Sequence, residues 1–379
     1  MSGGADSLRA AVLLREQGHE IFAVHMRLLP PQAAGTEAED LLAAREALLR
    51  KLCAHCAIDL QFVDFHREFE SLVISPFIDA YRRGLTPNPC IGCNPRIKFG
   101  LLLDYVRQQG AERLATGHYA RISRGPDTGC PAPEVGCAES DGGGSTPGMR
   151  FRLHRGVDAS RDQSYFLTGL GQEQLARAVF PLGETTKRET AAWVESSGLG
   201  RLVAENSQEI CFILSGKYAD FVNDRTGGAK PREGPVLDLA GNLVGRHGGI
   251  HSYTVGQRRG LRIASTEPYY VVRIEPEINA VRVGRAKDLL CGSFTVRDVN
   301  WVSIPPPRGP VSCRVRIRNL HKPAQATVEP LNPGNENPAA LVTLREPQRA
   351  VTPGQAAVFY CDDLLLGGGI IDRPPLPDR

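Results

Sequence analysis

Two rhythms of apolar spacing alternate through the first hundred or so residues. Residues 6–17 place leucine and alanine at helical intervals and stop at Gly18, a good helix terminator. Residues 21–26 form a short apolar run of strand length, 37–52 a strong helix former, and 60–65 a second strand. Helical spacing returns at 67–83 and 97–109, and Leu114 and Ala115 end a further strand. Strand and helix in turn predict a parallel sheet covered by helices on both faces. Ligands of such sheets sit at the carboxyl ends of the strands. Helices are again expected at 172–179 and 187–197. From about Gly234 the pattern becomes short strands broken by Gly, Pro and Asn turns, which predicts an all-β part closing as a small barrel. Between them, 125–150 lacks periodicity and is rich in Gly, Pro and Ser, the mark of a flexible loop insertion.

At 379 residues the chain is too long for one ordinary core, and two or three domains are expected. The divisions fall at 1–198, 199–284 and 285–372. No apolar run approaches the roughly 20 residues needed to cross a bilayer, so a cytoplasmic protein with no membrane partner is expected. A net charge of +3 identifies no partner, but its distribution is uneven. From Arg285 to Arg349, Lys and Arg outnumber Asp and Glu ten to five. Arg314, Arg316 and Arg318 alternate along one strand, which places them on one face, suited to a phosphate backbone or simply to solvent.

The first helix is entered through Met1-Ser2-Gly3-Gly4-Ala5-Asp6-Ser7. Two glycines let the backbone approach an anion, and a helix start offers unpaired N–H groups and the positive end of its dipole. Ser2 and Ser7 add hydroxyls, and Asp6 suits a magnesium ion bridging phosphates. The Walker lysine is missing, so a P-loop NTPase matches poorly. The same residues also favour a plain N-cap.

Ten cysteines argue for reduced thiols rather than a disulfide scaffold. Cys53 and Cys56 lie one turn apart on an amphipathic helix with no second ligand pair, which favours core packing over zinc. Cys90 and Cys93 lie in Thr86-Pro87-Asn88-Pro89-Cys90-Ile91-Gly92-Cys93-Asn94-Pro95, whose three prolines predict a stiff, irregular loop with no helix. Such loops beside parallel sheets commonly carry chemistry, although a buried pair or a labile disulfide fits the spacing too. Cys130 and Cys137 fall in the insertion and take no role. Cys211, before Phe212 and Ile213, reads by itself as a buried strand cysteine.

These blocks, taken in order, resemble the bacterial tRNA-specific 2-thiouridylase family over nearly the whole chain. The likeness runs through Ser2–Ser7, Thr86-Pro87-Asn88-Pro89, Cys93-Asn94, Ile97-Lys98-Phe99-Gly100 and Thr116-Gly117-His118-Tyr119-Ala120. It continues through Asp162-Gln163-Ser164-Tyr165-Phe166-Leu167, Phe180-Pro181-Leu182-Gly183, Ser207-Gln208-Glu209-Ile210-Cys211-Phe212, and Tyr253-Thr254-Val255-Gly256-Gln257 with the residues after it. Pro347-Gln348-Arg349-Ala350-Val351-Thr352-Pro353-Gly354-Gln355 closes the series.

The resemblance implies an N-terminal α/β domain of the adenine-nucleotide-α-hydrolase type, a central domain carrying Cys211, and a C-terminal β-barrel. It implies ATP with Mg²⁺ as cofactors, cleaved to AMP and pyrophosphate, with Met1, Ser2, Gly3, Gly4, Ala5, Asp6, Ser7, Met26 and Gly117 holding the nucleotide. Asn88, Pro89 and Cys90 would meet the target base. His118, Arg161, Asp162, Gln163, Arg316, Ile317 and Gln355 would meet tRNA. Arg161 stands where the family has lysine, and Ile317 where tyrosine is common. A uridine 2-carbonyl adenylated on oxygen would lose AMP to sulfur carried as a persulfide on Cys211, with Cys93 completing the exchange. The implied partners are tRNAs with a wobble uridine (the Lys, Glu and Gln acceptors) and a sulfur-donor protein.

Two departures stand out. The family has a strand before the phosphate loop, so an apolar strand upstream of Met1 is expected. The family also has aspartate at position 90; Cys90 instead creates a C-x-x-C pair which, with Cys211, offers three thiolates for a 4Fe-4S cluster. Two rival readings are a ligase or amidotransferase with the same loop acting on a small metabolite, and a non-catalytic RNA-binding protein. Neither needs both Cys93 and Cys211.

Overall fold

The computed structural model describes residues 1–31, 36–127, 148–200, 203, 210–213, 216, 218–225, 232–332 and 337–373. The chain divides into two compact units. One comprises Met1–Ile74, Gly92–Gly125 and Arg150–Leu214; the other comprises Ser75–Ile91, Pro126–Met149 and Ser215–Arg379. Most of the expected insertion at 125–150, with Cys130 and Cys137, lies outside the described residues, as does Ser207-Gln208-Glu209. Among the described residues no helix is long and apolar enough to cross a membrane.

The first unit has the parallel strands that its apolar rhythm predicts. Phe22–Arg27 pairs with Asp59–Asp64 in parallel register, Val24 opposite Gln61 and Met26 opposite Val63. Leu114–Ala115 pairs in parallel with Ala178–Val179. Helix Glu37–His55 returns the chain between the first two strands. Thr36 caps it, its side chain accepting from the Glu39 amide, and Glu37, Glu39 and Asp40 complement the dipole in its first turn. Leu8, Ala23, Leu52, Cys53, Cys56, Ile58 and Leu199 form one buried cluster. Burial pushes the Cys53 and Cys56 thiols up, as for cysteines packed as small apolar residues.

One sequence expectation fails here. Pro89–Cys93 is helical, and the chain continues as a π-helix over Asn94–Leu102 and an α-helix over Leu103–Gln108. Proline breaks a helix from within but suits its first turn, where its missing N–H has no partner to lose. Pro87 precedes the helix, Pro89 opens it, and Pro95 falls at the change from α to π-helical geometry, so the prolines do not forbid a helix here.

In the second unit, four short strands run in the order Leu243–His247, Gly234–Leu237, Ala280–Gly284, Tyr270–Glu275. Val236, Val271, Ile274, Val281 and Val283 are buried among them. Helix Tyr218–Arg225 precedes this sheet and has no counterpart in the sequence expectation. The last part is a closed six-stranded antiparallel barrel: Leu290–Trp301, Ala339–Arg349, Ala324–Leu331, Val311–Arg316, Ala356–Cys361, Leu364–Ile371, and back to Leu290–Trp301. Alternate residues point inward (Phe294 with Val296, Ala326 with Val328, Ala340 with Val342), and closure leaves no open edge.

Candidate active site

Gly3 turns with φ +87°, and Gly4 leads into helix Ala5–Glu16 as an N-cap without a side-chain bond. The amides of that first turn have no intrahelical acceptor, so they remain available to an anion. The loop is tied across its mouth by Ser2 and Ser7, whose hydroxyl oxygens lie 3.0 Å apart, while Ser7 Oγ donates to the Gly4 carbonyl at 3.0 Å. Arg45 donates to the Ser2 carbonyl at 3.1 Å. Met1 donates its nitrogen to the Val24 carbonyl, which sets the loop alongside the strand carrying Met26.

Gly117 follows strand Leu114–Ala115 at its carboxyl end, and there the loop is packed against backbone. A Cβ at Gly117 would lie 2.7 Å from the Asp6 carbonyl carbon and 2.9 Å from the Ser7 nitrogen. The cradle therefore requires glycine at both of its walls, and the residues present fit a nucleotide triphosphate chain.

The loop also gathers residues that sequence reasoning missed. Asp6 Oδ1 accepts from the Lys187 ammonium at 2.6 Å and from the Tyr119 hydroxyl at 2.9 Å. Tyr119 shares a second hydrogen bond, 3.0 Å, with Thr190. Burial pushes the phenol of Tyr119 well above its ordinary value, so it stays a donor. Lys187 opens helix Lys187–Ser196, whose start is fixed by a capping box: the Thr186 hydroxyl accepts from the Glu189 amide at 3.2 Å, and Glu189 accepts from the Thr186 amide at 2.6 Å. The Lys187 amide donates to Asp158 Oδ2 at 2.9 Å. The signal was present in Thr186-x-x-Glu189, which marks a helix start, but nothing local joins it to Asp6.

His118 is buried, with Nδ1 2.7 Å from the Thr116 hydroxyl and the rings of Phe99 and Phe180 against it at 6.3 and 5.8 Å. Burial, and then the charge of Lys98, hold its imidazole well below the ordinary range, so it is neutral at physiological pH. Asp162 is buried and pairs with Arg155 at 3.1 Å. Gln163 accepts from the Tyr119 amide at 3.1 Å. Arg161 is exposed. Of the three residues in this run, only Arg161 reaches solvent freely; the other two brace the loop around Tyr119.

Asn88 caps the short helix of the cysteine segment, accepting from the Cys90 amide at 3.2 Å. Cys90 is exposed at the start of that helix and Cys93 is buried at its end. Asn94, next to Cys93, is buried and donates to the Phe166 carbonyl at 2.9 Å. Cys211 occupies an exposed turn, Ile213 donating to the Ile210 carbonyl at 3.0 Å, and not the buried strand that its apolar neighbours imply. The neighbour Phe212 supplies the burial instead, its ring set edge-on to Phe69 at 5.7 Å. Among the described residues no group of three or more His, Cys, Asp or Glu side chains is arranged to hold a metal ion.

In the barrel unit the basic strand differs from its pattern. Arg314 and Arg318 are exposed, whereas Arg316 is only 7% exposed. It donates to the Asn319 carbonyl, with its guanidinium 5.9 Å from the Tyr360 ring centre. The regular strand ends at Arg316, so alternation no longer governs the residues beyond it, and Ile317 is fully inside. Gln355 donates to the Thr86 carbonyl at 2.8 Å, and the Thr86 amide donates to the Pro353 carbonyl at 2.9 Å.

Family models match in sequence order: a tRNA methyl transferase HUP domain over residues 1–215, a tRNA methyl transferase PRC-barrel domain over 219–285, and an aminomethyltransferase beta-barrel domain over 291–371. The chain is 43% identical over 376 residues to the tRNA-specific 2-thiouridylase MnmA of Chloroflexus aurantiacus, covering 99% of this chain and 97% of that one. It is 43% identical over 378 residues to the protein of that name from Geobacter metallireducens, covering 98% and 95%. The Acidobacterium capsulatum protein of that name is 39% identical over 388 residues, covering 98% and 97%.

Proposed function

The chain belongs to the tRNA-specific 2-thiouridylase family, and we propose that it is the ATP-dependent sulfurtransferase that exchanges the 2-oxygen of a tRNA wobble uridine for sulfur. The observation that carries this reading is the phosphate loop: unpaired helix-start amides, two hydroxyls across the mouth, and an Asp6 carboxylate, packed so tightly on Gly117 that only a backbone cradle remains. ATP bound there presents its α-phosphorus to the uridine O2. The O2–phosphorus bond forms, the α–β anhydride bond breaks, and pyrophosphate leaves with the bond's electron pair. The uridine oxygen has then become part of AMP, a competent leaving group.

Sulfur arrives next as a persulfide on Cys211, whose exposed turn suits loading by a donor protein. Its terminal sulfur attacks C2 and AMP departs with the original oxygen. The Cys93 thiolate then attacks Cys211 Sγ, forming the Cys93–Cys211 disulfide and breaking the bond to the outer sulfur, which stays on C2 as 2-thiouridine. An external thiol reductant must reopen the disulfide before the next turnover. Asn88, Pro89 and Cys90 lie on the helix entry available to the target base, and Arg161, Arg314 and Arg318 supply exposed charge for tRNA phosphates. Asp6 is the residue suited to hold Mg²⁺, which neutralises phosphate charge when bound. Tyr119, Gln163 and Thr190 hold Asp6 and its loop in place.

The test is pyrophosphate release from ATP with and without substrate tRNA, together with nucleoside mass spectrometry of that tRNA. Pyrophosphate and AMP in step with 2-thiouridine support the reading. ADP and inorganic phosphate in that proportion, or pyrophosphate release that ignores tRNA, would overturn it in favour of other ATP chemistry.

A further inference from the structure

The phosphate loop carries no lysine of its own, yet a lysine stands over it. Lys187 comes from a helix start 181 residues away and places its ammonium 2.6 Å from Asp6 Oδ1. Its side chain is 19% exposed and that of Asp6 26%, so the pair is neither sealed in the core nor loose on the surface. As a stability device it is weak, since partly solvated ion pairs contribute about 0–1 kcal/mol. Other contacts brace the same surroundings. Ser2 and Ser7 tie the loop across, Tyr119 already fixes Asp6 Oδ1, and the capping box fixes the helix.

What the pair does accomplish is to keep a cation beside the helix-start amides. Among the described residues Asp6 is the only carboxylate within ion-pair distance of Lys187. The ammonium therefore needs to break one contact to reach an arriving phosphate.

We propose that Lys187 is the pyrophosphate-stabilising cation of this site: with ATP present its ammonium turns from Asp6 to the β- and γ-phosphate oxygens and neutralises the charge that collects on them as the α–β bond breaks. This deepens the reading of the loop as an ATP site and rests on it. Lys187 remains protonated throughout; it transfers no proton and forms no covalent bond. The bond's electron pair goes to the bridging oxygen, which leaves on the β-phosphate. The exchange leaves Asp6 held by the Tyr119 hydroxyl alone, with a carboxylate that would suit a cation accompanying the phosphates.

The experiment compares wild type, Lys187→Met and Lys187→Arg in the full chain. Three quantities are read: tRNA-dependent pyrophosphate release, the affinities of inorganic pyrophosphate and of AMP, and the melting temperature. Loss of one preorganised charge contact is expected to slow release by about 10²–10³-fold in Lys187→Met. Affinity for pyrophosphate should fall about tenfold or more in that variant, while AMP, which lacks the β- and γ-phosphates, binds within about twofold of wild type. Lys187→Arg, which keeps the charge, should recover part of the rate. Equal losses of pyrophosphate and AMP affinity, or rates within about threefold of wild type, would overturn the proposal while the ATP reading survives in the wild-type control. Wild-type protein that releases no pyrophosphate on addition of tRNA would overturn both.

Discussion

Gly117 and Asp6 touch through their main chains: a Cβ on the glycine would stand 2.7 Å from the Asp6 carbonyl carbon and 2.8 Å from its oxygen. Real Cβ atoms do not approach that closely, and backbone at a helix start cannot swing aside as a long side chain can. Gly117→Ala is expected to displace the phosphate loop, cost about 1–3 kcal/mol of stability as overpacking, and weaken ATP binding about tenfold. Calorimetric ATP titration beside a thermal melt measures both. An unchanged ATP affinity would mean that the nucleotide sits elsewhere.

Cys211→Ser should abolish thiolation and persulfide labelling while ATP and tRNA affinities stay within about twofold, because the exposed turn holding Cys211 is anchored through Phe212 and not through the thiol. Phe212→Ala is the informative companion. It removes an edge-on ring against Phe69, should cost about 3 kcal/mol, and should lower the thiolation rate with the thiol still present. Persistent 2-thiouridine in Cys211→Ser would assign the sulfur carrier to another residue.

Stability should fall on acidification, with His118 as a main contributor. Burial and then Lys98 hold its folded pKa well below 6.5, so the unfolded chain binds a proton that the native chain refuses. Its contribution is intact above 6.5 and is lost as the pH falls from there toward the folded value. Burial lowers His247 and His251 in the same direction. His118→Gln should flatten, without abolishing, the slope of unfolding free energy between about pH 7 and 5. An unaltered slope would count against a neutral, buried His118.

Arginines 314, 316 and 318 should divide by burial. Arg314→Ala and Arg318→Ala should each weaken tRNA binding and reduce its dependence on salt by about one unit of slope. Arg316→Ala should chiefly lower the melting temperature, since its guanidinium is turned inward to the Asn319 carbonyl and Tyr360. Binding isotherms at several salt concentrations check this, and a full loss of slope in Arg316→Ala alone would reverse the assignment.

Gln355→Ala should loosen the segment that carries Asn88. The lost donor leaves the Thr86 carbonyl without its 2.8 Å partner, at a cost of about 1 kcal/mol, and amide exchange from Thr86 to Cys90 should quicken. Gly354, at φ +90° and with Thr86 backbone 2.9 Å from where a Cβ would be, should tolerate alanine still less well.

Periodicity made the elements legible wherever a residue's role is set by its neighbours along the chain. Helix Glu37–His55, strand Phe22–Arg27 and the alternation that builds the barrel were all readable that way. The phosphate loop was equally plain, because glycines and hydroxyls before a helix form a local pattern. Lys187 was not, since its meaning lies in a partner 181 residues distant. Cys211 misled for a related reason: the apolar character of its surroundings belongs to Phe212, which buries itself and turns the thiol outward. Arg316 misled because alternation gives the face of a strand position and not the path of a long side chain, and this one turns back to the Asn319 carbonyl. The prolines misled because their effect depends on position within the helical turn, which composition does not record.

The bond from Gln355 to Thr86 spans 269 residues. During synthesis Thr86 leaves the ribosome long before the strand after Gln355 exists, and at about 5–20 residues per second the wait is on the order of tens of seconds. Through that interval Thr86 lacks its main-chain partners at Pro353 and Gln355, and a chain that ends before Pro353 never gains them. The contact thus makes the seating of a segment near residue 86 a late event of folding, dependent on sequence supplied only after residue 355 has been translated.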